Sequence, residues 1–159
     1  MVFKTGLVCT LLIILCNAFP DGAPPDTCVK DRFNQPNHGQ SRPQPLETIP
    51  YQVVASSAYY EPGQTISLTI SGNDLFRGFF FQARDPTTQE WIGEFVESPN
   101  TKAIPECASV THADNRDKTQ AVVVWKAPDH KQGQVFFTGT VLKDYKTFWS
   151  NIVAQIAQQ

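Results

Sequence analysis

Gln64-Thr65-Ile66-Ser67-Leu68-Thr69-Ile70-Ser71 alternates without a break. Ile66, Leu68 and Ile70 fall on one side of an extended chain, and Thr65, Ser67 and Thr69 on the other. Successive strand side chains point to opposite faces, so this period of two marks a strand with one buried and one wet face. Just before it, Tyr60-Glu61-Pro62-Gly63 is a turn: Pro fixes φ and Gly supplies a positive φ. Tyr51–Ser56 reads as the strand that leads into the turn.

Downstream the same punctuation continues. Arg77–Arg84 holds Phe79-Phe80-Phe81 and reads as a strand packed on both faces. Asp85-Pro86-Thr87-Thr88 turns the chain, Trp91–Val96 returns as a strand, and Ser98–Pro105 reads as a loop. Cys107–His112 is a short strand before the polar turn Asp114-Asn115-Arg116-Asp117. Gln120–Lys126 is dense in β-branched residues, Ala127–Gln132 turns again, and Gln134–Leu142 is a long strand. Phe148–Ile156 fits helical spacing and alternation equally; a final strand is favoured. Seven or eight strands and no strong helix predict an all-β, immunoglobulin-like antiparallel β-sandwich, each sheet with one wet face. The expected core contains Ile66, Leu68, Ile70, Phe79, Phe81, Trp125 and Phe137.

The chain has 159 residues, room for one domain. With 41% hydrophobic and 18% charged residues it is globular in composition, which excludes disorder. Twelve prolines argue against a helical bundle. A formal net charge of -2 leaves no basic excess for phosphates, so no nucleic-acid partner is expected. Met1–Lys4 opens with a positive charge, and Leu7–Cys16 is almost unbroken apolar sequence, half the length of a membrane span. Small residues precede the bond after Ala18, so residues 1–18 read as a secretory signal peptide. No membrane span is expected beyond Ala18. Residues 19–159 form one domain: an extended Pro-rich arm over 19–50 and the sandwich over 51–157. Cys28 and Cys107 are the cysteines left beyond the signal peptide, and in an oxidising compartment they are expected to pair. That bridge staples the arm to the body.

Catalytic patterns are scarce. His38, His112 and His130 show no metal-binding spacing. His112 with Asp114 makes half a metal site at most; a histidine at a strand end meeting backbone or solvent is the simpler reading. Glu90 and Glu94 resemble a hydrolase pair, but the solvated face of one strand is the favoured reading. No nucleophile elbow, P-loop or Rossmann glycine pattern occurs. A non-enzyme without cofactor or metal is expected.

Six phrases in order resemble the reeler domain, a secreted module named after reelin and found in F-spondin. They are Tyr60-Glu61-Pro62-Gly63, Phe76-Arg77-Gly78-Phe79 with Gln82-Ala83-Arg84, Ser109-Val110-Thr111-His112, Val124-Trp125-Lys126-Ala127-Pro128, Gly133-Gln134-Val135-Phe136-Phe137 and Phe148-Trp149. A lone domain of this kind is similar to insect defense proteins. The resemblance implies an immunoglobulin-like sandwich and a secreted, extracellular role in innate immunity. It also implies binding to microbial surface polysaccharide or lipopolysaccharide, and contact with blood cells. Arg77, Arg84, Lys118 and Lys131 are the candidate ligand-binding residues, offering charged hydrogen bonds to anionic groups from turns and strand ends. A monomer is expected. The competing expectation is an extracellular matrix or cell-adhesion module without a microbial ligand.

Overall fold

The computed structural model describes residues 21–29, 34–36 and 38–158. The expected signal peptide and the bond after Ala18 lie outside the described residues. The strands are β1 (Tyr51–Ala55), β2 (Tyr59–Tyr60), β3 (Thr65–Phe76), β4 (Gly78–Arg84), β5 (Glu94–Val96), β6 (Thr101–Ile104), β7 (Ser109–His112), β8 (Lys118–Lys126), β9 (Gly133–Gln134), β10 (Phe136–Leu142), β11 (Phe148–Val153) and β12 (Gln155–Ile156). One sheet has the order β12-β1-β3-β8-β5, a second β11-β10-β4-β7-β6, and β2 pairs with β9. The fold is all-β and sandwich-like, as the alternation demands.

The opening stretch sets the core. Ile66, Leu68 and Ile70 are fully buried, beside Trp125 of the neighbouring strand and with Phe79, Phe81 and Phe137 of the second sheet buried to match. All seven nominated core residues are at most 1% exposed. Trp125 sits edge-on to Tyr60 and to Phe137, with ring centroids 5.2 and 5.8 Å away. Its indole N–H donates to the Ile92 carbonyl at 2.9 Å, so a buried donor is satisfied.

Several expectations are corrected. The supposed loop 98–105 contains β6, which pairs with β7. The strand expected over Trp91–Val96 shrinks to β5, because Gly93 has φ +64° and a Cβ there would lie 2.4 Å from the Trp125 ring. Glu90 therefore lies in the preceding loop and shares no strand with Glu94; both are exposed. The long strand Gln134–Leu142 is split at the buried Val135 into β9 and β10. The ambiguous segment 148–156 is β11 and β12, separated by Ala154 alone, so the chain leaves one sheet and joins the other. That last pairing, β12 on β1, is parallel, so the sandwich is not wholly antiparallel.

The second sheet also departs from the one-wet-face expectation. Its central strand β4 is buried from Gly78 to Ala83, the triple-Phe segment packing on both faces. What covers the outer face is the N-terminal arm. Cys28 and Cys107 are disulfide-bonded, with Cα atoms 6.0 Å apart. They pack with Phe80, Ile104 and Ala23 as a small second core beneath the arm. Further along, the Gln44 N–H donates to the Phe148 carbonyl at 2.8 Å, and the Trp149 indole donates to Thr48 Oγ1 at 3.0 Å.

Candidate functional site

The four nominated cations lie at opposite ends of β4. Arg77 precedes the strand and Arg84 ends it, roughly 20 Å apart at ~3.3 Å per residue. Lys118 is beside Arg77, since its Nζ donates to the Arg77 carbonyl at 3.0 Å. Lys131 is at the other end, 3.4 Å from the Asp85 carboxylate that follows Arg84. The four form two pairs, not one patch.

At the Arg84 end the guanidinium is structural. Its Nε and Nη2 donate to Gln82 Oε1 at 3.1 and 2.9 Å, and its Nη1 to the Gln89 carbonyl at 2.7 Å. Its plane lies over the Trp91 ring, 5.2 Å from the centroid. Partial burial lowers its pKa. Gln82 is fully buried, and its Nε2 donates to Asn34 Oδ1 at 2.6 Å. Asn34 in turn donates to Thr138 Oγ1 at 3.1 Å, and its carbonyl accepts from Thr140 Oγ1. A buried polar chain thus runs from Arg84 through Gln82 to Asn34 and fastens the arm to the sheet. Each member is satisfied, as burial of polar groups requires. Asn34 has φ +57°, a conformation Asn tolerates better than most residues.

At the Arg77 end the loop 114–117 is tied into a charge knot. The Asp114 carboxylate accepts from the Arg116 backbone at 2.9 Å, from Arg116 Nη2 at 2.7 Å and from Lys118 Nζ at 3.1 Å. Those bonds, the Arg116 side chain foremost, hold its pKa well below the usual carboxylate range. Lys118 Nζ also reaches the Asp114 and Arg116 carbonyls at 2.9 and 2.8 Å, and its side chain is mostly buried. Lys118 is a brace for the loop. Arg77 and Arg116 are different: both side chains are more than half exposed, at 56% and 78%. Arg77 Nε donates to Asp117 Oδ1 at 2.8 Å.

Between this loop and the turn before β6 lies a polar cleft of about 430 Å³, lined among others by Ser98, Asn100, Asp114, Arg116, Asp117 and Gln120. Hydroxyl, amide, carboxylate and guanidinium groups at one sandwich end give a surface rich in paired donors and acceptors. Sequence reading nominated Arg77 and Lys118 from this end but missed Ser98, Asn100 and Arg116. The polar run 114–117 was the available signal; nothing local pointed to residues 98–100.

His112 is not poised for chemistry. It is buried, and its Nδ1 accepts the Phe79 N–H at 3.1 Å. Burial pushes its pKa down, and the Phe79 carbonyl, 3.2 Å from the same nitrogen, partly opposes that. The Asp114 carboxylate is committed to Arg116 and Lys118. Among the described residues no group of three metal-ligating side chains converges, and no helix is long and apolar enough to cross a membrane.

Relatives of similar length carry defense names. The chain is 35% identical over 156 residues to "Putative defense protein 3" of Antheraea mylitta, covering 94% of this chain and 91% of that one. It is 30% identical to "Putative defense protein 1" of the same moth, covering 94% and 92%. "Ferric-chelate reductase 1" of Mus musculus is also 30% identical, but the match spans 96% of this chain and 26% of that protein. Among solved structures, the human F-spondin reeler domain superposes with a TM-score of 0.57 at 20% identity, covering 76% of this chain and 95% of that one. That likeness is one of fold. Residues 28–159 match the Reeler domain model, and with these relatives the match shows that the chain belongs to the Reeler domain family.

Proposed function

We propose that this is a secreted, extracellular, non-enzymatic defense protein that binds bacterial surface polysaccharide or lipopolysaccharide. The observation that carries the reading is end-to-end similarity to insect proteins named for defense, with more than nine-tenths of both chains covered. A disulfide holding the arm suits an oxidising compartment. The polar cleft by loop 114–117 is the surface offered for recognition, with Arg116 in its wall and Arg77 bonded to Asp117 at its edge. Asp117, the partner of Arg77, is half exposed, and an exposed ion pair contributes only ~0–1 kcal/mol, so an anionic group on a ligand can replace it. Loops on a rigid sandwich can vary without disturbing the core.

The test is a pull-down of purified protein with whole bacteria and with isolated lipopolysaccharide across a salt series, beside an inert β-sandwich control. Enrichment at low salt that fades as salt rises is expected, because exposed charges are screened over ~8–10 Å. Arg77→Gln with Arg116→Gln should weaken it. No enrichment over the control rejects microbial binding and leaves the matrix or adhesion role.

A further inference from the structure

Between Asn34 and Thr48 the arm runs along the second sheet, and two of its attachments there differ in kind. One is the Gln44 N–H, which donates to the Phe148 carbonyl at 2.8 Å. The other is the His38 ring, stacked on Tyr145 with centroids 4.1 Å apart and set edge-on to Phe148 at 6.0 Å.

That ring carries an atom that nothing satisfies. His38 Nδ1 is buried and has no hydrogen-bond partner among the described residues. With the other nitrogen as donor to the Tyr145 backbone, a neutral ring leaves only a lone pair at Nδ1. A proton there adds both a charge and an unpaired donor to a buried position, which costs far more than the lone pair does.

The surroundings do not relieve that cost. Tyr145 is the titratable group in contact with the ring, and Phe148 carries no charge. Arg77, His112 and Asp144 line the same cavity as His38, and Arg42, on the arm itself, is exposed. None of them bonds to Nδ1. Asp144, the one carboxylate among them, accepts the Lys146 and Thr147 N–H groups at 2.8 and 2.9 Å, and the Arg77 charge offsets its attraction for a cation.

We propose that His38 is a pH-sensitive latch on the arm: the neutral ring closes residues 38–43 onto Tyr145 and Phe148, and protonation of Nδ1 in mildly acidic solution releases them. Asn34, held by Gln82 and Thr138, and the Cys28–Cys107 bridge do not titrate, so the arm stays tethered. Burial lowers the His38 pKa in the closed arm below the ordinary 6.5, while the Tyr145 backbone works the other way. The open arm therefore takes up the proton first. Its population relative to the closed arm is flat well above pH 6.5, rises by up to about tenfold per pH unit below it, and levels off under the closed-arm value. Release uncovers Phe148, which is 1% exposed when the latch is closed. The latch is separate from the polar cleft and stands whether or not the protein binds bacteria.

The test is NMR of the disulfide-bonded protein between about pH 7.5 and pH 5. Ring carbon and nitrogen shifts of His38 report its protonation. NOEs from that ring to Tyr145 and Phe148 should fade in step with protonation, with the Ile66 and Trp125 signals of the folded core still present. Over the same range the Gln44 amide, corrected for intrinsic exchange, should lose protection by at least about threefold. His38→Phe keeps a ring on Tyr145 but takes no proton, and should hold Gln44 protection level across that range. A His38 ring that titrates at 6.5 or above overturns the proposal. So do NOEs that persist in the protonated ring, or an equal loss of Gln44 protection in His38→Phe. If His38→Phe fails to fold, the ring titration and the NOEs of the unmodified protein decide by the same criteria.

Discussion

The two sheets solve the same problem differently. The first keeps one face wet: Val96, Val122 and Val124 are exposed beside Ser67 and Thr69, while Ile66, Leu68 and Ile70 fill the core. The second has both faces covered across its centre, the inner by the core and the outer by the arm. The inner layer is held by apolar packing, the outer by a disulfide and a hydrogen-bonded polar chain. A face that meets a proline-rich, irregular segment cannot use strand pairing throughout, so side chains and a covalent bond provide the adhesion. The arm's backbone bond from Gln44 to Phe148 is a local supplement.

Substitutions can break this contrast, beginning with the strongest. Trp125→Ala removes the largest fully buried side chain of the inner layer and should cost ~3–5 kcal/mol in chemical denaturation. Cys28→Ser with Cys107→Ser removes a link between residues 79 apart and should cost ~2–4 kcal/mol. Hydrogen exchange should then rise in the arm while β3 and β8 stay protected; uniform loss of protection would mean the layers are one cooperative unit. Thiol titration of unreduced, denatured protein should find no free thiol among these two residues.

Asn34→Ala leaves Gln82 Nε2 and Thr138 Oγ1 without a buried partner and should cost ~1–3 kcal/mol. A milder effect is expected from pH. His112 and His38 have pKa values lowered by burial, so the unfolded chain binds their protons more readily. Their contribution is complete above the unfolded value of 6.5 and declines as pH falls below it. A denaturation midpoint that does not drop between neutral and mildly acidic pH counts against buried neutral histidines. Smallest of all, Val124→Thr on the wet face of the first sheet should change stability by less than ~0.5 kcal/mol. A large loss there would show that this face, too, is covered.

Legibility followed the same division. The first sheet could be read because alternation has physical content only where one face is wet, as in residues 65–70. The continuation of β3 through Gly72, Asn73 and Asp74 could not, since those residues disfavour strands. Buried Phe76 and a bond from the Tyr51 hydroxyl to the Leu75 carbonyl at 2.9 Å hold it extended. β6 was hidden because Thr101–Ile104 is short, lies just past a turn and is followed by Pro105. At the candidate site, Arg84 and Gln82 are two apart and so share a face by period alone. Asn34 and Gln82 are 48 apart, and no local pattern encodes their contact. Charge pairing is equally opaque: Lys143 meets Asp74 across 69 positions.

The parallel pairing of β12 on β1 carries a consequence for biosynthesis. Val54 and Ala55 find their edge partners at Gln155 and Ile156, about a hundred residues later. Until those residues leave the ribosome, β1 presents an open edge, and an unpaired edge is a template for association with another chain. The loop that must close is long, which slows productive folding relative to local hairpins. Translation therefore leaves a window in which the nearly finished sandwich can associate wrongly, and two short neighbouring strands, β11 and β12, close it by tying both sheets together at the end.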